Sequence, residues 1–237
     1  DLAGNDNGNI SRTEPTRADN SLHVVTVYDK GSEVILDGLI VTGGNSDNTT
    51  WNQIWSQGSS YGGGIRVVGS QLTIRNCTFE ANSGTAGASL SCEGNENTVR
   101  IEKSVFRDNV SHSFGVVYLA GNFIIESCVF EDNQTKDSPL GYEWAGALYA
   151  AGDSGKEHVI NNSVFGNNSA GEAGGAIMAD TNLSIQNSVF FGNSCQQGHA
   201  LWIKSGDVYF RNSIIWGSPE DGRAMVGSFS NTNAGAI

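Results

Sequence analysis

The sequence predicts an all-β solenoid, a parallel β-helix of about seven to eight coils. Three observations point to this fold: an unusual composition, a pattern of Phe and Asn that recurs along the chain, and a Gly-rich step between its copies. The 237 residues include 31 Gly, 24 Asn and only 3 Pro, and 16% of them are charged. Gly and Asn are poor helix formers that favour turns, so this composition is typical of many short strands joined by tight turns.

The first repeat consists of an aliphatic residue, a Phe five positions later and an Asn three positions after the Phe. Its full copies are Ile74/Phe79/Asn82, Ile101/Phe106/Asn109, Ile125/Phe130/Asn133, Ile160/Phe165/Asn168 and Ile185/Phe190/Asn193. Degenerate copies are Leu36/Val41/Gly44, with Asn45 one place late, and Phe210/Ile215/Ser218. From Phe79 to Ile215 the spacing is 27, 24, 35, 25 and 25 residues. A stable minimum with local insertions is typical of a solenoid with coils of about 25 residues.

The second repeat is a step rich in Gly and Ala that is followed by an aliphatic residue. It occupies 62–65, 87–90, 115–118, 145–148, 174–177 and 198–201, and it departs from the common pattern in the third and the last of these. Short segments of alternating polarity lie between the steps and predict three short strands per coil. Leucine-rich repeats are the alternative at this period, but they need Leu at several fixed positions and a helical segment, which this sequence lacks.

Equivalent residues of successive coils are expected to stack about 4.8 Å apart. The Phe column then forms an aromatic stack inside the core, and the Asn column forms a ladder of side-chain amides. A small residue lies two positions before each Phe or its Ile215 equivalent: Cys77, Ser104, Cys128, Ser163, Ser188 and Ser213. Cys77 and Cys128 would lie two coils or about 9.6 Å apart, too far for a disulfide. We expect all four cysteines, which include Cys92 and Cys195, to be small buried core residues.

The pairing of Phe-x-x-Asn with Gly-Gly-Ala-Ile resembles the repeats of the chlamydial polymorphic outer-membrane protein passengers. It is also similar to the right-handed β-helix modules of large secreted proteins of environmental bacteria. The Phe/Asn copies between Phe79 and Asn193 and the step Gly174-Gly175-Ala176-Ile177 carry the resemblance, which covers about residues 24–218. It implies a right-handed β-helix that is secreted or exposed on a bacterial surface as an adhesin or passenger. The wider β-helix class also contains pectate-lyase-like enzymes, and fold by itself does not define activity.

Residues 24–218 are predicted to form the β-helix, 1–23 a polar N-terminal segment, and 219–237 a tail or the start of a further coil. The N-terminal segment is rich in side-chain oxygen atoms, and Asp1 and Asp6 are its candidate metal ligands. A calcium loop often needs a closing Glu, and no Glu is suitably placed, so a solvated turn is the alternative. No other cofactor is expected. The abrupt first and last residues suggest a processed or excised piece of a longer protein.

The charge balance argues against several classes of partner. The net charge is −12, and Lys and Arg form no cluster. Nucleic acid and anionic membrane surfaces both need basic patches, so neither is an expected partner. No run of 18 apolar residues occurs, so we do not expect this segment to insert into a membrane.

Two insertions carry the aromatic residues that we consider candidates for ligand binding. Residues 45–61 contain Trp51, Trp55 and Tyr61, and residues 134–144 contain Tyr142 and Trp144. Both insertions leave the predicted helix at one corner, roughly 14 Å apart, and only short connections (83–86 and 110–114) separate them. Aromatic walls beside a groove suit sugar rings, which stack their apolar faces on Trp and Tyr. The alternative is that these side chains fold back and pack their own loops.

The candidate catalytic residues are Glu80, Arg107 and Glu131, which occupy one outward column of successive coils. The simplest interpretation is a surface charge network. The catalytic interpretation pairs Glu80 with Glu131 as acid and base about 9.6 Å apart, at the upper edge of the spacing in inverting glycosidases. A lyase could instead combine Glu102, Glu126 and Lys103, although Lys103 follows Glu102 directly and should point to the other face.

Two histidines and the rest of the motifs add no further catalytic pattern. His112 and His199 lie near one corner of the predicted coils, with no second His in register, so neither a metal pair nor a Ser-His-Asp triad is indicated.

From these observations together we expect a module of a secreted or cell-surface bacterial repeat protein. It would act as an adhesin, passenger or scaffold that contacts glycans or other surface proteins. A polysaccharide lyase or glycoside hydrolase is the alternative.

Overall fold

The computed structural model describes residues 7, 9–10, 14–18, 20–28, 33–46, 61–94, 96–153, 155–156, 158–217 and 225–228. Of the candidate ligand and metal residues, Trp51, Trp55, Asp1 and Asp6 lie outside this part of the chain. The described residues form a stack of short strands, and their one helical element is a 3₁₀ turn at Pro15–Arg17. No helix among them has the length and apolar character to cross a membrane.

The described residues contain twenty-seven short strands. The first fourteen are β1 (Val25–Tyr28), β2 (Val34–Asp37), β3 (Ile40–Thr42), β4 (Asn45–Ser46), β5 (Ile65–Val68), β6 (Gln71–Arg75), β7 (Thr78–Glu80), β8 (Ser83–Ala86), β9 (Leu90–Glu93), β10 (Thr98–Glu102), β11 (Val105–Arg107), β12 (Val110–Phe114), β13 (Val117–Ala120) and β14 (Asn122–Glu126). The others are β15 (Val129–Glu131), β16 (Gln134–Thr135), β17 (Leu148–Ala151), β18 (His158–Asn161), β19 (Val164–Gly166), β20 (Ser169–Ala170), β21 (Ile177–Asp180), β22 (Leu183–Gln186), β23 (Val189–Phe191), β24 (Leu201–Ser205), β25 (Val208–Arg211), β26 (Ile214–Trp216) and β27 (Val226–Ser228).

The strands form four parallel sheets that run along the solenoid axis. The first sheet has the order β1-β5-β9-β13-β17-β21-β24-β27 and the second the order β2-β6-β10-β14-β18-β22-β25. The third has the order β26-β23-β19-β15-β11-β7-β3 and the fourth the order β20-β16-β12-β8-β4. Each coil crosses the sheets in this order, so equivalent residues of successive coils lie side by side. The predicted all-β parallel solenoid is confirmed.

Two details of the prediction are wrong. The solenoid makes about six turns, fewer than the seven to eight coils predicted. Within the described ranges the terminal coils are incomplete, and five coils have a strand in the fourth sheet. The segments 83–86 and 110–114, which we predicted to be short connections, are strands β8 and β12 of this fourth sheet. They contain small residues such as Gly84 and Ala86, and these small side chains allow the parallel strands of neighbouring coils to pair closely.

The predicted Phe column forms a continuous stack in the core. Ring centroids are 4.5 Å apart for Phe79 and Phe106, 4.8 Å for Phe106 and Phe130, 4.7 Å for Phe130 and Phe165, and 4.9 Å for Phe165 and Phe190. The planes differ by at most 5°, and all five rings are completely buried. Burying each such side chain contributes about 1.5–3 kcal/mol, so the stack is a main source of the stability of the solenoid.

The predicted Asn ladder lies at the turn between the third and fourth sheets. Each Nδ2 donates to the Oδ1 of the next Asn, at 3.1 Å from Asn82 to Asn109 and 3.0 Å from Asn109 to Asn133, and the ladder continues through Asn168 to Asn193. Each Nδ2 also donates to a backbone carbonyl of the preceding coil, such as Asn109 to the carbonyl of Phe79 at 3.0 Å. The buried amides are therefore fully engaged, as burial of polar groups requires.

The small-residue column lies at the turn between the second and third sheets. The backbone N–H of Cys77 donates to Ser104 Oγ at 3.1 Å, and that of Cys128 donates to Ser163 Oγ at 3.1 Å. All four cysteines are free and buried, as predicted. Burial raises the pKa of the Cys92 and Cys128 thiols, to about 11 for Cys128. Buried thiols of this kind are inert, so these cysteines serve in packing.

Candidate functional site

A cluster of aromatic side chains covers the outer surface beside and across the first sheet. We call it the aromatic platform; its members are Tyr61, Phe114, Tyr118, Tyr142, Trp144, Tyr149 and Trp202. Tyr118, Tyr149 and Trp202 occupy equivalent outward positions of the strands of this sheet. Tyr118 pairs with Tyr149, and the next two positions of the column are Met178 and Trp202. The sheet thus places aromatic rings of different coils on one face.

The other members of the platform come from the segments that enter the first sheet. Isolated parallel bridges join Tyr61 to Ala86, Phe114 to Trp144, and Trp144 to Ala173. The backbone N–H of Trp144 donates to the carbonyl of Ser113 at 2.9 Å. Although 134–144 is an insertion, its last residue is therefore fixed by backbone pairing to both neighbouring coils.

Phe114 lies at the centre of the platform. Its ring centroid is 5.4 Å from that of Tyr149, 5.7 Å from that of Trp144 and 6.3 Å from that of Tyr142. The rings of Trp144 and Tyr149 lie 6.3 Å apart and nearly parallel. The Tyr142 and Trp144 rings lie 4.8 Å apart. These contacts are typical aromatic geometries and hold the rings in one arrangement.

Exposure divides the platform into a base and a surface. Tyr61, Phe114, Tyr149 and Trp202 are buried, whereas Tyr118 and Trp144 are half-buried and Tyr142 is 45% exposed.

The structure brings the predicted candidates Tyr61, Tyr142 and Trp144 into this single cluster. Sequence reasoning missed Phe114, Tyr118, Tyr149 and Trp202; the signal available was an aromatic residue directly after the aliphatic residue of the Gly-rich step in three coils.

A charged network lies against the edge of the platform. Lys204 Nζ is 2.6 Å from Asp180 Oδ2 and donates to the Tyr149 hydroxyl at 3.1 Å. The Tyr149 hydroxyl and Ser205 Oγ both donate to the Asp180 carboxylate, at 3.1 Å and 2.7 Å. Lys204 Nζ also lies 5.3 Å from the ring centroid of Trp144, within cation–π range.

These contacts set the charge states of the network. Burial acts to raise the pKa of Asp180, but hydrogen bonds from Lys204 and Ser205 outweigh it and lower the pKa. Burial and the Asp180 carboxylate raise the pKa of Tyr149. At neutral pH Tyr149 is therefore a hydrogen-bond donor and Asp180 a carboxylate, and Lys204 Nζ lies beside the Trp144 ring.

Carboxylates outnumber cations around the platform. Arg66 Nε is 2.8 Å from Glu93 Oε1 on the same outer face. Glu143 lies directly between Tyr142 and Trp144 in sequence, and its carboxylate accepts from the backbone N–H of Ser138 at 3.1 Å. With Lys204 paired to Asp180, the surroundings of the platform carry a negative balance, which disfavours anionic ligands.

The candidate catalytic column on the third sheet contains the ion pair of Arg107 with Glu80. Arg107 lies in register between Glu80 and Glu131. Its guanidinium donates to Glu80 Oε2 at 2.7 Å and 3.0 Å, and this bond raises the pKa of Arg107. Glu80 and Glu131 thus have an arginine between them on an open sheet face.

The second sheet holds the other predicted carboxylate group in a similar pairing with an arginine. Arg100 pairs with both Glu102 and Glu126, at 2.9 Å for Glu126. Lys103 lies in the turn that follows, with a left-handed φ of 46°. The turn directs the chain away from the sheet at this point.

The two histidines near one corner of the predicted coils, His112 and His199, are both buried. His112 Nε2 is 3.3 Å from Ser83 Oγ, and its Nδ1 is 2.8 Å from the carbonyl oxygen of Lys136. Both His112 and Ser83 are completely buried, so this pair has no access to a substrate. His199 Nδ1 accepts from the backbone N–H of Cys195 at 3.3 Å. In the described ranges, no three His, Cys, Asp or Glu side chains are grouped to hold a metal ion.

The described residues form a parallel β-solenoid that carries an aromatic patch on its outer surface. A family model described as right handed beta helix region matches residues 7–190. The chain belongs to this right-handed β-helix family. No curated protein and no solved structure matches the chain. The resemblance to the chlamydial polymorphic outer-membrane proteins is not confirmed by these comparisons.

Proposed function

We propose that this β-helix domain is a glycan-contacting scaffold of a secreted or cell-surface bacterial protein, acting as an adhesin or passenger. The observation that carries the proposal is the aromatic platform, in which the exposed Tyr142 and half-buried Trp144 rest on a buried aromatic base. Sugar rings stack on such side chains, and their hydroxyls need polar partners close by. Lys204 and Asp180 lie beside Trp144, and although they are paired with each other, their side chains are 33% and 25% exposed and can take further hydrogen bonds.

Rigidity supports the proposal. Trp144 is paired through its backbone to the coils on both sides, and Tyr142 packs on the Trp144 ring. A ligand would therefore meet rings that are already ordered, so little conformational entropy would be lost on binding. The negative balance of Glu93, Asp180 and Glu143 favours neutral glycans or amino sugars over uronates and sulfated chains.

The experiment combines a glycan array with a polysaccharide-depolymerisation assay on the same protein. We expect binding of neutral or amino glycans without release of reducing ends. Trp144→Ala and Tyr142→Ala should each weaken binding at least tenfold. Trp216→Ala is the matched control, because Trp216 is 72% exposed and lies on the third sheet, whereas the platform lies beside the first sheet.

Three outcomes would overturn the proposal. The first is the absence of glycan binding, and the second is binding that survives the loss of both Trp144 and Tyr142. The third is chain cleavage that Glu131→Gln abolishes, which would establish the glycoside hydrolase or lyase alternative.

A further inference from the structure

The last coil of the solenoid presents an open sheet edge within the described residues. Strand β25 ends the second sheet and pairs with β22, and strand β26 ends the third sheet and pairs with β23. In a parallel ladder, alternate residues direct their N–H and C=O groups to one neighbouring strand, and the residues between them direct theirs to the other. The carbonyl of Arg211 accepts from Asn187 of the preceding coil. The backbone groups of Val208 and Phe210 therefore face the open edge.

The apolar columns of the core reach this edge without full cover. Phe210 and Ile215 occupy the inward positions of β25 and β26 and are half-buried. Their counterparts one coil earlier, Ile185 and Phe190, are completely buried. On the outward side of the same coil, Tyr209 is 56% exposed. An apolar edge strand is a template for pairing with another strand, and such a strand would bury both columns.

An unpaired cation at the edge selects the charge of that strand. Arg211 is exposed, and among the described residues its guanidinium has no ion-pair partner. Elsewhere on this sheet, arginines pair with carboxylates of the adjacent coil in both directions. Arg75 lies 2.9 Å from Asp37 of the preceding coil, and Arg100 lies 2.9 Å from Glu126 of the following coil. A carboxylate beside Arg211 on an added strand would form the same kind of pair.

The turn after β25 offers a second polar group, the backbone N–H of Ser213. In the coils before it, the equivalent N–H donates to a hydroxyl of the next coil: Ser163 to Ser188 Oγ at 3.2 Å, and Ser188 to Ser213 Oγ at 3.1 Å. Within the described part of the chain, no residue accepts from the Ser213 N–H. Because Ser213 lies two positions after Arg211, a serine two positions after the carboxylate of the added strand would supply this acceptor.

An intact second copy of this chain does not fit the edge. Its first coil carries a matching strand, because β2 pairs with β6 at the positions equivalent to those of β25. If β2 of a second copy paired with β25, however, its β1 would have to pair with β24. Strand β27 already occupies that place in the first sheet. An extended segment without a preceding coil meets no such obstacle.

We propose that this edge binds an extended segment of a partner protein, which adds to the second sheet as a strand parallel to β25. The segment has the pattern apolar-x-apolar-acidic-x-Ser. Its two apolar side chains cover Val208 and Phe210, its carboxylate pairs with Arg211, and its serine accepts from the Ser213 N–H. In such strand addition, main-chain hydrogen bonds supply affinity and alternate side chains supply specificity. This interaction is separate from the glycan contact proposed above, because the platform lies beside the first sheet.

The probe is a fluorescein-labelled synthetic peptide with the sequence of residues 33–42 and the substitution Leu39→Ser, which has the whole pattern. Fluorescence anisotropy measures its binding to the 237-residue chain. We expect saturable binding that Leu36→Asp in the peptide abolishes, because that change places a carboxylate over Phe210. On the isotope-labelled chain, the peptide should shift the NMR amide signals of Val208 and Phe210 and leave that of Ile101, in a central coil, unchanged.

Exchanging the charges tests the predicted ion pair. Asp37→Lys in the peptide and Arg211→Glu in the protein should each weaken binding about fivefold, the size expected for an exposed ion pair. The two changes together should restore much of the loss. Lys136→Glu in the protein is the matched control, because Lys136 is an exposed cation of a central coil, and it should leave binding unchanged.

Three results would overturn the inference. The first is the absence of saturable binding; the tested chain includes residues 218–224 and 229–237, which lie outside the described residues, so an edge that they already cover gives this result. The second is equal binding of the Asp37→Lys peptide and its parent. The third is self-association of the chain in sedimentation experiments that Arg211→Glu prevents, which would make a second copy the occupant of the edge.

Discussion

The side-chain amide of Asn109 donates to Oδ1 of Asn133 at 3.0 Å, and both side chains are completely buried. Asn109 Oδ1 in turn accepts from both the backbone N–H and the Nδ2 of Asn82. One side chain thereby joins three successive coils. The ladder makes each coil depend on its neighbours, which is how a solenoid acquires cooperative stability.

Asn109→Ala should lower the free energy of unfolding by about 2–4 kcal/mol, because it leaves buried donors and acceptors without partners on both sides. Urea unfolding followed by circular dichroism measures the change. Asn161→Ala, at a partly exposed position with one side-chain bond to Asn187, should cost less than about 1 kcal/mol. Equal losses in the two variants would contradict the special role of the ladder.

Phe106→Ala should cost about 3–5 kcal/mol, since it opens a cavity in the middle of the aromatic stack. Phe106→Leu should cost less, because most of the volume remains. Phe191→Ala serves as the control on the same sheet: its ring is 37% exposed and lies over Gly166. Calorimetric unfolding of the parent chain and the three variants measures these losses of stability. A loss in Phe191→Ala as large as that in Phe106→Ala would refute the prediction.

Gly175→Ala should destabilise the fold by about 3 kcal/mol or prevent folding. A Cβ at this position would lie 2.2 Å from the carbonyl oxygen of His199 and 2.8 Å from backbone atoms of Ser194, both in the next coil, which leaves little room for relaxation. Gly155→Ala is the matched control, because its Cβ would meet nothing closer than 3.6 Å. That variant should be neutral or slightly more stable. Soluble yield and urea midpoints of both variants test the prediction.

The stability of the fold should fall as the pH drops below about 6.5, the ordinary pKa of histidine. Burial lowers the pKa of His158, although backbone hydrogen bonds with Asn182 and Gly121 oppose the shift. A histidine whose pKa is lowered in the folded state binds protons more readily in the unfolded state. Its contribution is therefore fully present above the unfolded pKa and is lost as the pH falls through the folded pKa.

Urea midpoints at pH 7.5 and pH 5.5 measure this dependence. His158→Leu should narrow the difference between the two midpoints, because it removes the histidine that takes up the proton. A leucine fits at this position, since Leu72 and Leu183 occupy the same inward column of the second sheet. Some dependence should remain, because burial also lowers the pKa of His23. An unchanged difference in His158→Leu would show that another group causes the acid sensitivity.

The repeat columns could be predicted because stacking is a one-dimensional problem. Once Phe79 and Phe106 are recognised as equivalent, parallel pairing brings them together whatever lies between, and the same holds for Asn82 and Asn109. The fourth strand of each coil could not be predicted in this way. Strands such as β8 contain small polar residues with no alternation of polarity, and only pairing between coils makes them strands.

The sequence by itself determined the solenoid and its Phe and Asn columns, because each depends on a period that the chain repeats. Only the tertiary structure decided which aromatic residues share a face. Phe114, Tyr142, Trp144 and Tyr149 come from a strand end, an insertion and an outward strand position, and no single spacing relates them. The physical reason is that core columns follow the period of the coil, whereas surface patches form where side chains from different parts of several coils meet.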